Sequence, residues 1–103
     1  MRVIKEKTLY EFCAKSRYKP ASASLSAWIF EAKNSSWQNA MELKSKYRNA
    51  SIISSKRVVF NIKGNEYRLI TDIEYRLQII FIVWFGTHEE YDQIDAKTVS
   101  YEK

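Results

Sequence analysis

The sequence predicts an α+β domain in which N-terminal helices pack on an antiparallel β-sheet. Three observations predict it. Apolar residues recur at helical spacing up to about residue 49, the period then changes to strand-like alternation, and a Gly/Asn turn joins two of the alternating runs. Length and composition agree: 103 residues, 46% hydrophobic and 15% aromatic, with two Gly and one Pro, describe one compact folded domain over residues 1–103 rather than a disordered chain.

Residues 1–4 suit a short strand. A first helix covers residues 5–16, with Leu9, Phe12 and Cys13 at helical spacing; Thr8 and Glu11 have the spacing of a capping box, so the helix starts either at Lys5 or at Thr8. Lys19-Pro20 breaks the chain, and Pro20 suits the first turn of a second helix. There Leu25, Trp28, Ile29 and Ala32 fall at i, i+3, i+4 and i+7 and form one apolar stripe. Ser35 and Gln38 repeat the capping-box spacing and start a short third helix carrying Trp37 and Met41. These stripes are expected in the core, with Trp28 and Trp37 filling volume rather than stacking on bases.

Residues 58–62 and 66–71, joined by Lys63-Gly64-Asn65, read as a β-hairpin. A two- or four-residue loop pairs Val59 with Arg68. It places Val58, Phe60, Ile62, Tyr67, Leu69 and Thr71 on one mostly apolar face, and Arg57, Val59, Asn61, Glu66, Arg68, Ile70 and Asp72 on the other. A three-residue loop inverts the assignment. The second face is expected to be open and polar, with Arg68 either available on it or tied in a cross-strand ion pair to Glu66 or Asp72. Residues 77–85 form a third strand, apolar on both faces, which suits a central or covered position. Residues 86–92 read as a loop entering a helical turn; if Thr87 starts that turn, His88 and Tyr91 lie on one side of it.

Charge is distributed unevenly. Seventeen Lys+Arg against twelve Asp+Glu give +5, but residues 1–76 carry fifteen basic and seven acidic side chains, +8, and residues 77–103 carry two and five, −3. The asymmetry favours a polyanionic partner, nucleic acid being the commonest, over lysines that serve only solubility. A single cysteine, Cys13, allows no internal disulfide, and the longest purely apolar run is too short for a bilayer span of about 20 residues. The expectation is a soluble cytoplasmic domain with no membrane partner. One His and one Cys far apart are not a metal-ligand set, and no phosphate loop or nucleophile elbow occurs, so neither metal nor cofactor is expected. His88, at a strand end beside a basic face, is a candidate proton carrier because histidine titrates near neutrality; the plain alternative is a loop-capping role. The acidic Glu89, Glu90, Asp92, Asp95 and Glu102 read as a solvated surface, or alternatively as a patch that positions a basic segment of a partner.

The run Val58-Val59-Phe60-Asn61-Ile62-Lys63-Gly64-Asn65-Glu66-Tyr67-Arg68-Leu69-Ile70, followed by Gly86-Thr87-His88-Glu89-Glu90-Tyr91-Asp92-Gln93-Ile94-Asp95, resembles the HigB family of bacterial toxins. Ala27-Trp28, Trp37 and the basic stretch to Ser51 are similar too, so the resemblance covers about residues 1–95. It implies a RelE-like fold and the toxin of a type II toxin–antitoxin pair. The implied activity is that of an mRNA interferase, an endoribonuclease that cleaves mRNA, typically on the ribosome, and inhibits translation. It uses attack by a ribose 2′-hydroxyl on the adjacent phosphate, without metal or cofactor. It also implies silencing by a HigA-type helix-turn-helix antitoxin in a hetero-oligomer. The charge map adds that such an antitoxin would cover Arg57 and Arg68.

For the site, the resemblance implies Arg68 on the phosphate, His88 as base or acid, and Tyr91 stacking on a base or orienting the reacting group. Lys56, Arg57, Lys63 and Arg76 are then contacts to the RNA backbone. One position departs from the pattern. Family members commonly carry an arginine in an Ile-Arg-x-x-Gly-Thr-His context, where this chain has Ile82-Val83-Trp84-Phe85-Gly86-Thr87-His88. The consequence is either an attenuated nuclease, or substitution by Arg76, or a non-catalytic RNA- or ribosome-binding module of the same fold.

Overall fold

The computed structural model describes residues 1–100, so the expectation for Glu102 lies outside the described residues. The chain runs through β1 (Arg2–Ile4), α1 (Glu6–Cys13), a 3-10 turn (Lys19–Ala21), α2 (Ser22–Lys33), α3 (Ala40–Lys46), β2 (Ser51–Ile52), β3 (Arg57–Ile62), β4 (Tyr67–Glu74), β5 (Ile79–Thr87) and α4 (His88–Tyr91). The sheet order is β1-β5-β4-β3-β2. The α+β class is as the sequence predicts, but the sheet is mixed: β1 lies parallel to β5, and the other three pairings are antiparallel. The expected antiparallel sheet fails only at this strand, which reaches the far edge through the helices rather than through a hairpin.

Local chemistry corrects two helix boundaries. Helix α1 starts at Glu6, after Lys5 in the left-handed region at φ 72°, so Thr8 lies inside the helix; it ends at Cys13 rather than at residue 16. Helix α3 starts after Asn39, not at Ser35. The Asn39 side chain accepts from the Glu42 N–H at 3.0 Å, and the Glu42 carboxylate accepts from the Gln38 N–H at 2.9 Å, so one acid satisfies both ends of the cap. Trp37 therefore precedes the helix, buried edge-on against Tyr47, whereas Met41 is 81% exposed and not part of the core.

The helices cover one sheet face. Leu9, Leu25, Trp28, Ile29 and Ala32 pack with Val58, Phe60, Ile62, Tyr67, Leu69, Ile80, Ile82 and Phe85 in one continuous core. At one end Trp28 and Tyr47 meet Phe60 edge-on, with centroids 5.1 and 5.2 Å away; at the other, Tyr67 stacks on Phe85 at 5.7 Å. Each such pair adds about 0.5–1.5 kcal/mol beyond its buried area.

The hairpin has a four-residue loop, Lys63 to Glu66, with Lys63 and Gly64 at φ 55° and 66°. Val59 opposes Ile70 rather than Arg68. The pairing is thus two residues from the predicted one, and because side chains alternate with period two, both face assignments survive. What fails is the expectation of an open, polar second face. Val59, Ile70 and Val83 are buried there in a second small core, under Ile53, Trp84, Tyr91, Ile94, Ala96 and Val99. The segment following α4 folds back across this face. Val83 owes its place to a β-bulge: Ile70 pairs with Trp84 and Thr71 with Ile82, leaving Val83 as the extra residue. The bulge switches parity, so Ile80 and Ile82 face the helices before it and Phe85 after it.

Candidate functional site

Strands β4 and β5 end together where Arg68 opposes Gly86 and Tyr67 opposes Thr87. Thr87 then caps α4: its hydroxyl accepts from the Glu90 N–H at 3.1 Å, while the Glu90 carboxylate accepts from the Thr87 N–H at 2.9 Å. This reciprocal capping box fixes the turn on which His88 and Tyr91 sit. The His88 N–H donates to the Glu66 carbonyl at 2.9 Å, tying the turn to the hairpin loop. A cleft of about 380 Å³ opens here, lined by Asn65, Glu66, Tyr67, Thr87, His88 and Glu89.

Arg68 reaches this end along the second face. Its Nη1 donates to the carbonyls of Asn65 (2.9 Å) and Tyr67 (3.3 Å), and its Nη2 donates to Asn65 Oδ1 at 2.7 Å. Its guanidinium carbon lies 5.7 Å from the centre of the Tyr91 ring. Neither expected ion pair forms: Asp72 is taken by Arg57, its direct cross-strand partner, and Glu66 lies 3.5 Å from Lys63 Nζ. Asn65 holds Arg68 by the end-on Nη1/Nη2 edge, which leaves the Nε/Nη2 edge for a bidentate acceptor such as a phosphate.

Tyr91 also faces Trp84, ring centres 6.2 Å apart. A side chain at Gly86 would place its Cβ 2.6 Å from Trp84 Cη2 and 2.8 Å from Glu90 Oε1, so glycine is what lets the indole and the Glu90 carboxylate approach this strand end. Among the described residues, no group of three or more metal-ligating side chains comes together, and no helix is long and apolar enough to cross a membrane.

The structure therefore brings Arg68, Tyr91 and His88 to one end of the sheet, with Lys63 in the adjoining loop. It does not bring the rest there. Lys56 precedes β3 and Arg76 follows β4, both at the opposite end, about 23 Å away by the rise of seven strand residues. Arg76 is thus too distant to stand in for an arginine at Val83. Arg57 also lies at that far end, and its guanidinium is consumed internally: Nε and Nη2 donate to the two Asp72 oxygens at 2.8 Å each, and Nη1 to the Ala96, Lys97 and Val99 carbonyls. An antitoxin covering Arg57 and Arg68 together would have to displace the chain's own C-terminal segment.

Two contributors escaped the sequence reading. Glu90, expected on a solvated surface, accepts from the Tyr18 hydroxyl (2.9 Å) and pairs with Arg17 at 3.0 Å, so the α1–α2 connection is anchored to the site. Burial alone would raise the Glu90 pKa; the Thr87 N–H, the Tyr18 hydroxyl and the Arg17 charge outweigh it and hold the carboxyl below its ordinary range. Burial and the same carboxylate push the Tyr18 phenol up. Arg17 is the other, an exposed cation beside α4 that no motif marked.

Residues 21–94 match the family model HigB_toxin, described as the RelE-like toxic component of a toxin–antitoxin system. No curated protein matches the chain.

Proposed function

The chain belongs to the HigB family, the RelE-like toxic component of a toxin–antitoxin system, and on that premise we propose that it inhibits translation as an mRNA endoribonuclease associated with the ribosome. Such a toxin has an antitoxin partner; that the partner is of the HigA helix-turn-helix type is part of the proposal. The observation that carries the reading is that Asn65 both grips Arg68, whose Nε/Nη2 edge has no partner among the described residues, and lines the cleft together with the partly exposed His88.

In the proposed reaction the ribose 2′-oxygen forms a bond to phosphorus as the bond from phosphorus to the 5′-oxygen breaks. The 2′-hydroxyl proton passes to His88, and the 5′-oxygen leaves with a proton from solvent, giving a 2′,3′-cyclic phosphate and a 5′-hydroxyl. Arg68 holds the phosphate through two parallel hydrogen bonds and offsets its developing charge. Tyr91, braced between Trp84 and Arg68, offers a ring face to a base. Lys63 extends the contact along the backbone, while Lys56 and Arg76 serve a separate stretch of RNA at the far end.

Induced expression of the chain beside His88→Ala and Arg68→Ala tests this, with growth and mRNA 5′-ends read together. Growth arrest with new 5′-ends, both abolished in the two variants, is the expected result. Arrest without new ends would favour the non-cleaving ribosome-binding reading, for which the specific observation is the buried, apolar Val83 at the position where the resemblance implies an arginine.

A further inference from the structure

We propose that Asp92 is a positioning residue for His88, holding the imidazole in the Nδ1–H tautomer so that Nε2 is the free proton acceptor. The geometry is local. His88 and Asp92 are four apart on the turn that the Thr87–Glu90 capping box fixes, and the Asp92 N–H donates to the His88 carbonyl at 3.1 Å. His88 Nδ1 is buried and has no hydrogen-bond partner, although the side chain as a whole is 41% exposed. Water is thus shut off from Nδ1, and the exposed part of the ring lies elsewhere. Asp92 Oδ1 lies 3.8 Å from this nitrogen.

That separation is too long for a hydrogen bond, but a buried ring nitrogen with nothing to pair with is unfavourable. Asp92 can close the gap. Its side chain is 57% exposed and has no other hydrogen bond or ion pair among the described residues, so a small rotation brings the oxygen within reach. The neighbouring carboxylate cannot serve, because Glu90 is spent on Thr87, Tyr18 and Arg17. A carboxylate on Nδ1 fixes which nitrogen carries the proton and stabilises the imidazolium once the other accepts one. The catalytic half of this inference rests on the proposed RNA cleavage; the tautomer half does not.

The chain has one histidine, so its ring nitrogens give a single, unambiguous set of ¹⁵N signals. We expect the wild-type spectrum in the neutral state to show protonated Nδ1 and unprotonated Nε2. Asp92→Ala should lose this pattern, with protonated Nε2 becoming the main form. Glu89→Gln removes a neighbouring carboxylate that has no ion pair with His88 and should leave the tautomer unchanged. In a translating extract, Asp92→Ala should cut reporter mRNA roughly tenfold more slowly at saturating message, with KM unchanged, as expected when a general base is misplaced rather than removed.

A wild-type histidine protonated mainly at Nε2, or a tautomer indifferent to Asp92→Ala, overturns the contact. A tautomer that moves while the cleavage rate stays constant overturns its catalytic role. If the wild type cuts no RNA at all, the proposed function fails, and the ¹⁵N spectrum still decides the His88–Asp92 pairing.

Discussion

Arg57 and Arg68 project from the same face of adjacent strands, yet only one of them is left to act outward. Arg57 has both carboxylate oxygens of Asp72 on its Nε/Nη2 edge and three backbone carbonyls on Nη1, and its side chain is 13% exposed. Arg68 is gripped by Asn65 from the end and, among the described residues, keeps the corresponding Nε/Nη2 edge unpaired. The difference lies in the course of the chain beyond β5. The segment through Ala96 and Val99 folds over the Arg57 end, while the four-residue helix α4 leaves the other end as a cleft. Residue type and face are therefore insufficient to identify a phosphate ligand. What decides is whether the chain spends its own acceptors on the guanidinium.

Exchanging each arginine for alanine should separate the two roles. Arg68→Ala should lower mRNA cleavage by about 10²–10³-fold, the loss typical of one donor aimed at developing charge, with little change in the denaturation midpoint. Arg57→Ala should do the reverse. It strands a partly buried carboxylate and three carbonyls, so stability should fall by about 2–3 kcal/mol in urea titrations, below the range for a fully buried pair. Cleavage per folded molecule should persist. Equal loss of activity in both folded variants would show that the far end also grips the substrate.

The cleft end has an anchor of its own in Glu90, and it should show in the pH dependence of stability. The folded carboxyl is held below its ordinary range, so its contribution is present above that range and is lost as the pH falls through the folded value. Between about pH 5 and 3 the wild type should lose stability more steeply than Glu90→Gln. Thermal melts at stepped pH would read this directly. Parallel curves would mean that Tyr18, Arg17 and Thr87 hold α4 without needing the charge.

The sequence was most informative where periodicity acts alone. The α2 stripe, the hairpin, the parity of both faces and Thr87 at the start of a helical turn were all legible, because each depends on spacing within one element. The hairpin register was not. Lys63 adopts a left-handed conformation that a lysine does not advertise, so the four-residue loop runs from Lys63 to Glu66, one residue later than the Ile62-to-Asn65 loop, and Arg68 meets Asn61 instead of Val59. The bulge at Val83 and the return of the C-terminal segment over Arg57 were also hidden, since both depend on packing between segments distant in sequence. The sequence singles out Arg68, His88 and Tyr91, but their grouping with Asn65, and the use of Glu90 as an anchor, needed the fold.

Val83→Arg probes the boundary between the two ends. Val83 is 7% exposed and packs with Val59 and Ile70 midway along the face, between the covered arginine and the open one. Placing a guanidinium there removes apolar packing and must carry the charge out past Trp84, so stability should fall by about 1–2 kcal/mol. If the unused edge of Arg68 already supplies the bidentate phosphate contact, a second cation adds little to the reaction, and cleavage should change by less than about tenfold. A rise of about a hundredfold would mean that one donor is too few for the developing charge. Since Arg76 is at the wrong end of β4 to provide another, the chain would then be an attenuated toxin whose missing group belongs at the bulge.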